Sequence, residues 1–184
     1  MAKFFPELSE SHREFIAAQK LFFVATATAD SSINISPKGM DSFRIIDEHT
    51  IAWLNVTGSG NETAAHVQSD SRMTIMFCSF EGSPMILRLY GKAHMTQHGE
   101  AQWGELLAQF NPLPGARQIF TLAINRVQTS CGMSIPFFDF VSERDQLSKW
   151  ADKQSDGKMK DYWLEKNQTS IDGIAIKPPG ANST

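Results

Sequence analysis

Cysteine is nearly missing from this chain: of 184 residues only Cys78 and Cys131 carry a thiol. They lie far apart in sequence, so neither a disulfide framework nor a Cys-x-x-Cys metal or redox motif is suggested, and both read as free thiols. A charge excess is missing too. Seventeen Lys and Arg against twenty Asp and Glu leave a formal net charge of -3. That gives no global attraction to nucleic acid or to an anionic membrane, so neither is expected as a partner and any anion site must be local. No segment approaches the roughly 20 apolar residues that span a bilayer, and the opening Met1-Ala-Lys-Phe-Phe-Pro6 shows no long apolar run or cleavage site. A cytoplasmic protein is expected. Ser-His-Asp and nucleophile-elbow patterns are absent, and the acidic residues are scattered over polar stretches where solvation explains them. His94 and His98 stand four apart, but in what reads as the end of a strand, with no Cys or carboxylate cluster to complete a shell. No metal is expected.

What remains is a chain with 41% hydrophobic residues, long enough to bury a core and too short for two full domains. It is organised around residues 51–67, where an apolar strand pattern breaks at Gly58-Ser-Gly60 and restarts as a helix. Ser59 followed by Glu62 has the spacing of a capping box, which predicts the helix start. Gly58 and Gly60 remove the Cβ atoms that would keep an anion off the backbone. Free N–H groups, the positive end of the helix dipole and the side chains of Ser59, Asn61 and Thr63 can then converge on one phosphate. The same residues also fit an ordinary strand-to-helix turn. Neither the P-loop nor the G-x-G-x-x-G spacing is present.

Residues 8–19 carry Leu8, His12, Phe15 and Ile16 at helical spacing, with Ser9 or Ser11 able to cap. Residues 20–29 and 33–36 read as a hairpin about Asp30-Ser-Ser32, and Pro37-Lys-Gly39 is expected to interrupt pairing. Two further strands at 43–46 and 50–55 flank Asp47-Glu-His49 and lead into the glycine turn, followed by a helix at 61–68. Residues 72–80 and 85–95 form another hairpin about Glu81-Gly-Ser-Pro84. A helix at 100–110 places Trp103, Leu106, Leu107 and Phe110 on one face, and residues 119–131 make a long last strand. A second box, Ser142 with Asp145, opens a polar helix, residues 158–166 add a turn or two, and residues 177–184 read as a frayed tail. Six or seven strands with short turns and no β-α-β alternation predict a mainly β fold, an antiparallel barrel with peripheral helices. It forms one domain, with the barrel at 8–140 and a helical extension at 141–173.

A phosphate needs a cation, and Arg44, Lys38 and Arg88 are candidates. Together the series Phe23-Val-Ala-Thr-Ala27, Asn34-Ile-Ser-Pro-Lys-Gly39, Phe43-Arg-Ile-Ile46, Gly58-Ser-Gly-Asn-Glu-Thr-Ala-Ala-His66 and Ile86-Leu-Arg-Leu-Tyr-Gly91 resembles the pyridoxamine 5'-phosphate oxidase-related FMN-binding split-barrel family over roughly residues 8–140. The resemblance implies a six-stranded split barrel of antiparallel Greek-key type that forms a homodimer, with FMN in each of two clefts at the subunit interface. It further implies a phosphate-binding role for Arg44, beside Ile45, and for Ser59, a strand facing the flavin at Asn55, Val56 and Thr57, and Arg88 reaching the site from the partner subunit.

Gly60 and Asn61 stand where the true oxidase carries Arg-Lys, so the backbone seat, with Thr63, must do more. The carboxy-terminal Trp and Arg-x-His segment that hold the vitamin B6 substrate have no counterpart. In their place, residues 129–140 resemble a variant branch with a Cys-Gly-x-x-x-Pro segment. There Cys131 is either a contact or redox thiol at the flavin edge or a buried packing residue, with Phe137 or Phe138 as a stacking wall. His66 could steady its helix, face the cofactor or contact the second subunit. The family hosts many functions. An FMN-dependent oxidoreductase of unread substrate and electron donor is expected. The alternatives are a non-catalytic flavin-binding or stress-related protein and a barrel that takes haem or a deazaflavin.

Overall fold

The computed structural model describes residues 2–177, so the expected tail lies outside the described residues from position 178 onward. Its centre is one antiparallel sheet of eight strands in the order β3-β2-β6-β7-β8-β5-β4, with β1 added against β8. The strands are β1 (Lys3–Phe5), β2 (Phe22–Thr26), β3 (Asn34–Lys38), β4 (Phe43–Ile45), β5 (Thr50–Val56), β6 (Arg72–Cys78), β7 (Ile86–Gln97) and β8 (Ala116–Ser130). The sheet curls into a half-barrel, the split-barrel fold that the sequence predicts. The strand absent from the sequence reading is β1, too short at three residues to show a period.

Alternation explains the curl. Val24, Ile75 and Leu89 point inward with no exposed surface, and Trp53 stacks on Phe120 at 4.7 Å between ring centroids. This inner face is the core. The opposite face stays uncovered: Phe23, Met76, Arg88 and Gln128 lie in one cross-strand row, flanked by Phe4 at 60% and Ile35 at 64% exposure. Pro37 does not interrupt pairing as the sequence suggests. It sits inside β3 opposite Phe23, because β3 is an edge strand with one neighbour and can spare a donor.

Five helices surround the sheet: α1 (Glu10–Ala18), α2 (Glu62–Ser69), α3 (Trp103–Leu107), α4 (Gln146–Ala151) and α5 (Asp156–Lys166). Ser9 caps α1 in a reciprocal box with His12. Ser142 caps nothing. Residues 131–145 turn once at 132–135, form no helix or strand and are almost wholly exposed, and α4 begins only after Asp145 without a side-chain cap. None of the helices is long and apolar enough to cross a membrane among the described residues.

Gly91 marks the register shift between β7 and β8, where a Cβ would stand 2.0 Å from the Ala123 carbonyl oxygen. The strands can meet there only if that position is glycine. Gly91→Ala is therefore expected to destabilise the fold by about 3 kcal/mol, read as a lower urea midpoint.

Candidate functional site

β3 and β4 end the strand order of the sheet, and a gap opens between β3 on one side and the end of β5 with the start of α2 on the other. Because strand side chains alternate, Asn34, Ser36 and Lys38 all turn from β3 into this gap, while Ile35 and Pro37 turn out. Opposite them lie Asn55, Val56 and Thr57 at the end of β5, then the glycine loop and the first turn of α2. The result is a cleft of about 270 Å³.

Two cations line it. Lys38 places its Nζ 5.0 Å from the Trp53 ring centroid, and no carboxylate pairs with it among the described residues. Burial pulls its ammonium below the ordinary 10.5, Arg117 pulls it further, and Glu62 partly opposes both. Arg117, at the start of β8, is 6% exposed and sits beneath the loop. Its guanidinium donates to the Gly60 carbonyl at 3.0 Å, the Gly58 carbonyl at 3.5 Å and Asn61 Oδ1 at 3.1 Å. Burial draws it down to about 10, against Tyr162 and Glu62, so it remains charged at neutral pH.

Arg117 explains why the expected capping box at Ser59 does not form. With the Gly58 and Gly60 carbonyls turned down to the guanidinium, Ser59 is exposed and α2 starts at Glu62, with Asn61 in the cap position and no side-chain cap bond. Glu62, now the first helical residue, turns its Oε2 back to accept from the Asn61 N–H at 3.1 Å, not from Ser59 as the box requires. Meanwhile the N–H groups of Gly58, Ser59 and Gly60 find no protein acceptor among the described residues. The loop thus turns its carbonyls to Arg117 and keeps donors unspent.

Of the residues singled out in the sequence, the cleft brings together Asn55, Val56, Thr57, Gly60, Asn61 and Thr63. Asn55 donates to Gln118 at 3.0 Å, and Thr63 accepts from Asn34 at 3.0 Å. Ser59, Arg44, Ile45, Arg88 and Cys131 do not line it. Arg44 is turned to the other side of β4, held by both Asp41 oxygens at 2.6 and 2.8 Å and by the Gln109 carbonyl at 2.7 Å, above the Phe110 ring. Ile45 packs on the core, and Arg88 reaches Ser130 on the open sheet face. Cys131 is exposed, which removes the buried packing role, while burial raises the thiol of Cys78. Neither Phe137 nor Phe138 walls the cleft; Leu147 of α4 does. His66 faces the interior with no exposed surface, its Nδ1 3.0 Å from Thr26 Oγ1.

Arg117 is the residue that the sequence reading missed. The apolar pattern of β8 becomes visible only from Ile119, and a single Arg two residues earlier looks like a solvated strand end. The nearby Gly115 was the available signal: at φ +76 it brings its carbonyl within 2.7 Å of both the Thr57 N–H and Thr57 Oγ1, tying the strand start to the loop.

Comparison with known proteins agrees with this architecture. The family model described as pyridoxamine 5'-phosphate oxidase matches residues 8–131. The chain belongs to that family. A pyridoxamine 5'-phosphate oxidase family protein, ustO, of Aspergillus flavus is 32% identical over 201 aligned residues, covering 100% of this chain and 79% of the relative. Among solved structures, a candidate pyridoxamine 5'-phosphate oxidase of Lactobacillus delbrueckii superposes with a TM-score of 0.54 at 21% identity, over 67% of this chain and 94% of that one. HupZ of Group A Streptococcus gives 0.53 at 20% identity, over 65% and 91%. These two share the fold.

Arg117→Met would strand the carbonyls of Gly58 and Gly60, at a net cost of about 2 kcal/mol once the relief of guanidinium burial is counted. The expected outcome is a lower urea midpoint together with faster hydrogen exchange across residues 58–61.

Proposed function

We propose that the chain binds FMN, with the phosphate at the Lys38 and Arg117 end of the cleft, and acts as a flavin-dependent oxidoreductase. The single observation behind this reading is Lys38, a half-buried ammonium that lines a cavity and has no protein carboxylate paired with it among the described residues. Burying such a charge costs free energy unless an anion arrives to compensate it.

The residues fit the group. Two buried polar atoms without protein partners, Ser36 Oγ and Arg117 Nε, belong to residues lining the cleft. The unspent loop donors and the start of α2 add the donor set that phosphate favours. Lys38 then supplies the countercharge that the sequence reading gave to Arg44, with Asn55, Thr57, Asn61 and Thr63 beside it. FMN would supply hydride or electron transfer at its ring. The chain's residues hold the phosphate, exclude water and orient the ring along the end of β5.

At about 270 Å³ the cleft is below the roughly 300–1,000 Å³ of a closed small-molecule site, so a second wall is needed. In this reading a second copy provides it. The open sheet face, with Phe23, Met76 and Arg88, supports a homodimer in which Arg88 reaches the partner's ring. The exposed free thiol of Cys131 suits the reducing cytoplasm.

The sign of the pH effect follows from Lys38. Its lowered pKa means that the folded chain releases this proton before the unfolded chain does, so the cost of burying the charge is present in full at neutral pH and is relieved as pH rises through the folded value. Anion binding runs the other way, complete while Lys38 is charged and lost through that same range. FMN affinity, titrated by flavin fluorescence, is expected to weaken about tenfold as pH rises from neutral toward the ordinary lysine value of 10.5. Lys38→Gln should weaken it by about that factor at pH 7.5 and flatten the profile. An unchanged affinity in Lys38→Gln would remove the phosphate from this end of the cleft.

A further inference from the structure

The family match ends at residue 131, yet the chain after it returns to the glycine loop. Trp163 of α5 donates its Nε1–H to Thr57 Oγ1 at 2.8 Å, and Asn167 donates its Nδ2 to the Gly58 carbonyl at 2.9 Å. From the other direction, Asn61 Nδ2 donates to the carbonyls of Lys166 at 3.1 Å and Thr169 at 3.2 Å. Ile171 N–H donates to Glu62 Oε1 at 3.3 Å. Asn61 and Asn167 are 4% and 6% exposed, so these bonds are shielded from water.

We propose that residues 156–177 form a latch that positions the glycine loop for an anionic ligand, with Trp163 and Asn167 as its positioning residues. Neither touches the ligand; both act through Thr57 and Gly58. The proposal rests on the cleft being the phosphate seat argued above. Its physical basis is the missing cap. A loop with two glycines and no side-chain cap would sample many conformations, and a ligand would bear the entropy of ordering it. The latch bears that entropy in advance and leaves the loop donors turned out. Coupling of this kind is reciprocal: whatever the docked latch adds to ligand affinity, the ligand adds to latch docking.

The test compares the full-length protein with Trp163→Phe, which keeps an aromatic side chain and loses the N–H together with the five-membered half of the indole, and with Asn167→Ala. Flavin titration with FMN and with riboflavin, which lacks the phosphate, separates positioning from general support. Each variant is expected to lose about fivefold in FMN affinity while riboflavin affinity moves less than about twofold. Without ligand, amide exchange of residues 58–61 should rise about tenfold and that of β6 and β7 should not. In the parent, FMN should slow tryptic cleavage after Lys158, Lys160 and Lys166 several-fold more than riboflavin does. Equal losses for the two flavins, or loop amides that exchange as in the parent, would overturn the latch. A parent chain that binds no FMN but whose variants still release the loop amides would overturn the flavin reading and leave the latch in place.

Discussion

The structure turns on one buried guanidinium. Arg117 takes up the carbonyls of Gly58 and Gly60 and the side chain of Asn61, and the shape of the loop follows from those bonds. Its charge also acts across the cleft on Lys38. A buried cation among carbonyls and no paired carboxylate is tolerable because five N–H donors in a rigid fork can be spread over several acceptors. A lysine could not reach all three.

The curl of the sheet creates the site, and its sequence decides what enters. The free edge of β3 opens on a gap that the end of β5, the glycine loop and the start of α2 line in place of another strand. Polar side chains at alternate positions of β3 make that gap a wet, donor-rich cleft beside an apolar core. The fold by itself is shared by proteins of many activities, so the functional argument belongs to Lys38, Arg117 and the loop donors.

Strands and hairpins were legible in the sequence because alternation is a local signal. Of the residues the sequence singles out near the glycine turn, Asn55, Val56, Thr57, Gly60, Asn61 and Thr63 meet in the cleft, and Ser59 does not. Part of what escaped was set by distant partners. The Ser59 and Glu62 spacing satisfies the capping rule, yet Arg117, nearly sixty residues on, wins the carbonyls and shifts the helix start. The Ser142 and Asp145 spacing fails too: residues 136–145 form no helix and lie exposed, Phe137, Phe138, Phe140 and Val141 among them. Arg44 looked like a phosphate ligand, but Asp41 stands three residues before it, close enough to take the guanidinium in both oxygens. Arg117, Trp163 and Asn167 carry no motif at all; only their convergence on the loop in three dimensions gives them meaning.

A last consequence concerns Pro37. An open edge strand such as β3 presents a row of unused backbone donors and acceptors, a template for strands from other molecules. A proline ring in the middle of that row withholds one donor and leaves its bulk in the way of any incoming strand. The chain thereby keeps a gap in its barrel without inviting fibrillar growth at the rim.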